Sequence, residues 1–174
     1  EFALAETYYA LIEAVTGQDL TWQAHPDGVA SGTPGYQVGR DIATMNQGAF
    51  NILDDLKTAG MNLSPNETFL VLAPTALKRR IERALSSKYT LQNTGMGLTE
   101  VSYNMKPVYS QLLSATDTYY VILPKRKLKG GTRMNLTVLT DMDILAYTDV
   151  TAAWGRYGGG IAEDDQIQVC ATTD

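Results

Sequence analysis

Residues 69–73, Phe-Leu-Val-Leu-Ala, form an unbroken apolar run between the turn-forming stretch 64–67 and Pro74. A run that is continuous rather than alternating fits a strand covered on both faces. Pro74 stops the run, and Thr75 stands where it can cap a following helix. In that helix Leu77, Ile81, Ala84 and Leu85 fall within an arc of about 100°. Lys78, Arg79, Arg80, Glu82 and Arg83 lie outside the arc. Such a strand and helix either carry a ligand site or belong to a scaffold whose work is structural. The rest of the chain decides between these.

Upstream, residues 2–16 read as a helix ended by Gly17. Its apolar face is broad: Leu4, Ala5, Tyr8, Tyr9, Leu11, Ile12 and Val15 leave only Glu6 and Glu13 as an acidic stripe. A helix this apolar packs on more than one side. Residues 18–40 are rich in glycine and proline and read as a long loop with at most a short strand. Loops of this length are functional, mobile or gripped by a neighbour. Asp41 reads as the N-cap of a clean amphipathic helix whose stripe is Ile42, Met45, Ala49, Ile52, Leu53 and Leu56, closing near Gly60. After Tyr89 the texture turns to strands, near 99–104, 107–113, 118–123, 134–150, 151–157 and 166–172. Basic residues 125–133 around Gly130-Gly131 read as a hairpin tip, and 158–165 as a loop. Helices first and strands second give an α+β class.

With 174 residues, 44% of them hydrophobic, the chain has enough apolar material for the core of one domain. The net charge of −5 argues against nucleic-acid binding driven by bulk charge. No apolar stretch approaches the ~20 residues of a membrane span. A single cysteine, Cys170, excludes an internal disulfide and fits a reducing compartment. With one histidine, His25, and one cysteine, a four-ligand His/Cys zinc site is not expected. The chain opens within a helical pattern, so the natural start is expected upstream of residue 1.

Each candidate chemical site has a plainer reading. The face carrying Lys78, Arg79, Arg80 and Arg83 lacks the glycine-rich turn of a phosphate loop, and solvation or salt bridges account for it. The basic stretch 125–133 lacks the aromatic residues that single-strand binders interleave. The glycines at 158–160 fit a turn or bulge requiring positive φ. Glu163, Asp164 and Asp165 lack the spacing of a cation-binding loop. A Ser-His-Asp triad would have to use His25, and no G-x-S-x-G elbow supports it. Asp54 and Asp55 sit on the polar face of a regular helix. Asn62, Asn66 and Asn135 start glycosylation patterns that carry meaning only in a secreted protein. No catalytic, cofactor or metal residue is assigned.

The order of elements over 40–87, above all "MNLSPNETFLVLAPTALKRRI", resembles the central part of tailed-bacteriophage major capsid proteins of the Hong-Kong-97-like fold. The ending "WGRYGGGIAEDDQIQVCAT" is similar to the closing strand of those coat proteins, and the nearest texture is that of Mu-like phages and prophages. The resemblance implies a peripheral domain with a spine helix and long β-hinge, drawn from about 1–40, 88–115 and the last strand. It implies an axial domain, a central sheet flanked by helices, from about 41–87 and 116–155. An N-terminal arm and extended loop would be missing, so this piece is expected to be a truncated or processed core. The implied work is to form hexamers and pentamers of an icosahedral shell around double-stranded DNA. Portal and scaffold or protease proteins would be assembly partners. No enzymatic activity and no membrane partner are implied. Assembly would occur in the bacterial cytoplasm and the protein would reside in the virion. Lys125, Arg126, Lys127, Lys129 and Arg156 are the candidate subunit contacts. Two alternatives are an encapsulin-like compartment shell and, more distantly, a hydrolase using His25.

Overall fold

The computed structural model describes the chain except residue 1, residue 34, residues 62, 63 and 65, and segments 87–99, 125–127, 144–147 and 162–164. Its elements are α1 (Phe2–Glu13), β1 (Asp19–Leu20), α2 (Tyr36–Thr58), β2 (Thr68–Pro74), a 3-10 turn (Thr75–Leu77), α3 (Lys78–Ser86), β3 (Asn104–Ser110), β4 (Thr118–Ile122), β5 (Leu128–Asp143), β6 (Thr148–Ile161) and β7 (Ile167–Ala171). Helix and sheet mix as the α+β class requires.

Five strands form one sheet in the order β1-β7-β4-β2-β3. The outer pairs β1–β7 and β2–β3 are parallel, and β4 runs antiparallel to both β7 and β2. Alternate side chains of a strand point to opposite faces. Phe69, Val71 and Ala73 of β2 therefore join Tyr119, Val121 and Cys170 in one buried cluster, with Ile42, Met45, Ala49, Ile52 and Leu56 of α2 and Ile81 and Ala84 of α3. The intervening Leu70 and Leu72 turn to a second cluster with Tyr120, Ile122 and Ile167, against which Tyr9, Ile12 and Val15 pack. The unbroken apolar run thus has both of its faces covered. The broad face of α1 has the same cause, since the helix touches this second cluster and also the β6 backbone through Tyr8. At its end the Glu13 carboxylate accepts hydrogen bonds from the Ser114 amide at 2.6 Å and hydroxyl at 3.0 Å.

Several sequence-based expectations are corrected. Helix α2 begins at Tyr36, capped by Gly35 in the left-handed region at φ 89°, and Asp41 is an interior residue. Gly39 allows the earlier start: a Cβ there would lie 2.0 Å from His25 Nε2, so only a glycine lets the histidine ring rest on the helix. Thr75 opens the 3-10 turn without capping it, because Pro74 holds the cap position. One strand, Asn104–Ser110, replaces the two expected around it. Strands β3 and β7 share one sheet with β2 and β4. The long loop is gripped: Arg40 donates to the carbonyls of Trp22 and Gln23, both at 2.7 Å, and the Gln23 amide donates to Thr44 Oγ1 at 2.9 Å. Among the described residues no helix is long and apolar enough to cross a membrane.

Candidate assembly surface

Strands β5 and β6 form a separate two-stranded antiparallel ribbon, registered from Leu128 opposite Ile161 to Asp143 opposite Thr148. The expected hairpin tip at 125–133 is therefore displaced. Gly130 and Gly131 lie inside β5, opposite Gly159 and Gly158, and the ladder's far end is Asp143 opposite Thr148. Glycines 158–160 belong to β6 rather than to a loop, and none is among the residues with positive φ. Gly159 has a packing reason: a Cβ there would come 2.3 Å from the Tyr8 ring, while at Gly158 and Gly160 nothing lies within 4 Å. The bare backbone at this point admits α1, and the Tyr8 hydroxyl donates to the Gly158 carbonyl at 3.3 Å. Farther along, the ribbon exposes Val138 (55%), Leu139 (52%), Trp154 (45%) and Met134 (38%). Trp154 and Leu139 occupy diagonal positions on one face, with Val138 on the other, because Thr137 pairs with Trp154 and Leu139 with Ala152.

Of the candidate contact residues, Lys129 and Arg156 both fall on this ribbon, opposite Gly160 and Met134 respectively, and Arg156 is exposed. Lys125, Arg126 and Lys127 lie outside the described residues. So do Glu163 and Asp164 of the acidic trio.

Sequence reasoning missed a buried ionic knot at the end of the sheet. Asp41, 1% exposed, accepts two hydrogen bonds from the Arg80 guanidinium, both at 2.6 Å, and one from the Trp22 indole at 2.8 Å. Arg80 also reaches the Thr172 carbonyl at 2.8 Å. Next to it the Arg40 guanidinium sits 3.7 Å from the Trp22 ring centre and pairs with the Asp174 carboxylate. The Arg80 guanidinium lies 5.1 Å from the same ring. Burial pushes the Asp41 carboxyl above the usual carboxylate range, and Arg80 and Trp22 pull against it. The knot is legible as a pattern only once both helices are placed, because Asp41 and Arg80 are far apart in sequence. Of the basic helix face, Arg80 is in a structural pair and Lys78 stands 3.9 Å from Glu82 in an exposed helical pair.

His25 and Cys170, the histidine and cysteine of the chain, are both buried. His25 is buried, 8% exposed, with Nε2 against Gly39. Its Nδ1 accepts the Asp27 amide at 3.2 Å. Nδ1 is thus engaged by the loop backbone, and Nε2 packs against the α2 backbone at Gly39. Burial pushes the Cys170 thiol up to about 12, which denies it thiolate reactivity. An open cleft between α2 and the segment before β3 is lined by Asn46, Gln47, Phe50, Glu100, Ser102 and Tyr103, together with Pro26 and Ala43, and His25 is not in its wall. Among the described residues no cluster of three metal-ligating side chains occurs.

No protein-family model matches the chain, and no curated protein sequence aligns with it. Solved structures do match. The mature capsid of bacteriophage PhiM1 aligns with 97% of this chain at TM-score 0.63 and 13% identity, through 60% of its own length. The capsid of cyanophage P-SCSP1u aligns with 97% at TM-score 0.53 and 15% identity, through 62% of its length. A structure from Mycobacterium phage Che8 aligns with 97% at TM-score 0.51 and 18% identity, through 56% of its length. The chain thus spans about three fifths of the neighbours it matches, and it has the mixed helix-and-sheet fold of phage capsid chains.

Proposed function

We propose that the chain is the core of a major capsid subunit of a tailed phage, with the Hong-Kong-97-like fold. The Mu-like group is the nearest in sequence texture. Copies assemble as hexamers and pentamers into an icosahedral head around double-stranded DNA, without enzymatic activity. The observation that carries this reading is the β5–β6 ribbon. An isolated two-stranded ribbon is marginal in water, and this one exposes Met134, Val138, Leu139 and Trp154 along its length. A surface of that kind fits contact with other copies. The likeness of fold to phage capsid chains over 97% of the sequence supports the same reading.

On this reading the five-stranded sheet with α2 and α3 is the axial domain, and α1 with the ribbon is the spine and hinge of the peripheral domain. Lys125, Arg126, Lys127, Lys129 and Arg156 supply basic subunit contacts. Portal and scaffold or protease proteins are assembly partners, and the site of assembly is the bacterial cytoplasm. Electron microscopy of particles from the full gene product tests the proposal. DNA-filled heads support it, cages loaded with protein cargo favour the compartment shell, and a chain that stays monomeric at high concentration overturns both.

A further inference from the structure

Two exposed aromatic residues stand on surfaces of opposite shape. Phe50, 51% exposed, lies in the wall of the open cleft between α2 and the segment before β3, whereas Trp154, 45% exposed, stands on strand β6. The cleft is held open by bonds within the chain. The Asn46 side-chain amide donates to the Glu100 carbonyl and accepts from the Ser102 amide, both at 2.9 Å, which ties the far wall to the helix. Gln47 donates to Asn51 Oδ1 at 2.7 Å, and the Tyr103 ring meets Phe69 edge-on with 5.8 Å between centres. A wall fixed in this way is formed before anything binds, so little ordering is needed on contact. The cleft has a volume of about 480 Å³. Its apolar lining comes from Pro26, Ala43, Phe50 and Tyr103, and its one charged side chain is Glu100.

The ribbon presents the converse. Alternate residues of a strand share a face. Trp154 and Arg156 therefore point one way from β6, and Gly159, on which Tyr8 of α1 rests, lies on the other side. Leu139 sits diagonal to the indole, and Met134 stands opposite Arg156. All four side chains are exposed, and Arg156 is the one charge among them. The cleft thus offers aromatic surface with a single anion, and the ribbon offers an aromatic knob with a single cation. Among the described residues six large hydrophobic side chains are exposed, and four of them belong to these two surfaces.

We propose that Trp154 of one copy seats in the Phe50–Tyr103 cleft of a second copy, with Leu139 and Met134 against the rim and Arg156 facing Glu100. This deepens the capsid-subunit reading and rests on it for the partner, a copy of this chain. A buried tryptophan is a common anchor of such contacts. The contact joins two different patches, so it is heterologous, and repeated it builds a ring or a larger array.

The test uses the full gene product as two variants, Trp154→Asp and Phe50→Asp, separately and mixed, read by sedimentation. Each variant alone is expected to lose its large species. The mixture can form one intact junction, Trp154 of the Phe50→Asp chain in the cleft of the Trp154→Asp chain, so a heterodimer that grows no further is expected. Large species in either variant alone, or no heterodimer in the mixture, overturns the proposal. Wild-type assembly by Phe50→Asp alone would show a ribbon that meets other surfaces. A lowered unfolding midpoint in either variant, with no heterodimer, would show that a segment of the same chain covers that surface. As a second measurement, Arg156→Glu and Glu100→Arg should each weaken association by about fivefold, and the two changes together should restore it. Losses that simply add in the double variant overturn the Arg156–Glu100 contact. Shells from both aspartate variants sink this contact and leave the capsid reading. A heterodimer in the mixture beside a wild type that never forms shells does the reverse.

Discussion

The end of the sheet and the ribbon treat their difficult groups in opposite ways. At the sheet end, four side chains that are costly to bury (Arg40, Asp41, Arg80 and Trp22) satisfy one another and the neighbouring carbonyls within the same chain. Along the ribbon, Met134, Val138, Leu139 and Trp154 face outward and are left exposed by the described residues. On the proposed function, one region is complete by itself and the other is completed by a neighbouring copy. The lesson is that folding and the proposed assembly would draw on different residues, so they can be disturbed separately.

The largest effect should come from breaking the knot. Asp41→Ala leaves the Arg80 guanidinium without its counter-ion and the Trp22 indole without an acceptor, and should cost about 3–5 kcal/mol, read from denaturant unfolding. A loss under ~1 kcal/mol would show that the knot is not what closes that end. Next is the seam where the regions meet. Gly159→Ala places a Cβ 2.3 Å from the Tyr8 ring and should cost about 1–3 kcal/mol with faster hydrogen exchange in α1. Gly158→Ala has open space around it and serves as the comparison; equal effects would remove the packing argument.

Smaller still is the cost of altering the ribbon itself. Trp154→Ser with Val138→Ser should shift the stability of the isolated chain by no more than ~0.5 kcal/mol, yet abolish large species in sedimentation. Retained assembly would detach the exposed apolar residues from subunit contact. Smallest is a pH effect at Asp174, whose carboxyl Arg40 holds below the usual range by hydrogen bonding. A depressed pKa means the pairing stabilises at pH above the ordinary carboxylate value and is lost as pH falls through the lowered one. Asp174→Asn should flatten that acid limb, and an unchanged limb would assign it elsewhere.

Periodicity made much of the core legible. The α2 stripe from Ile42 to Leu56 and the doubly covered β2 follow from side-chain geometry within one element, which sequence displays directly. What depends on a distant partner was hidden. Asp41 looks like a cap until Arg80 and Trp22 are brought beside it. Gly39 and Gly159 look like breaks until His25 and Tyr8 are seen resting on them. The basic and glycine-rich stretches of the ribbon looked like turns because glycine signals a turn and a long exposed ladder has no local signature of its own. Lys129 and Arg156 are the candidate contact residues that lie on the described ribbon, and the exposed apolar positions beside them carry no sequence signal that sets them apart from ordinary strand residues.

The position of β7 between β1 and β4 has a consequence for biogenesis. On the ribosome, β4 emerges early but must wait with one edge open while the ribbon is synthesised, because its neighbour β7 follows the ribbon in the chain. At about 5–20 residues per second the delay lasts seconds. During that interval Tyr119 and Val121 lack the Cys170 that completes their layer. Nascent chains stalled before Ile167 should therefore be sensitive to protease and prone to stick to one another, and emergence of β7 should act as the latch that ends this exposure.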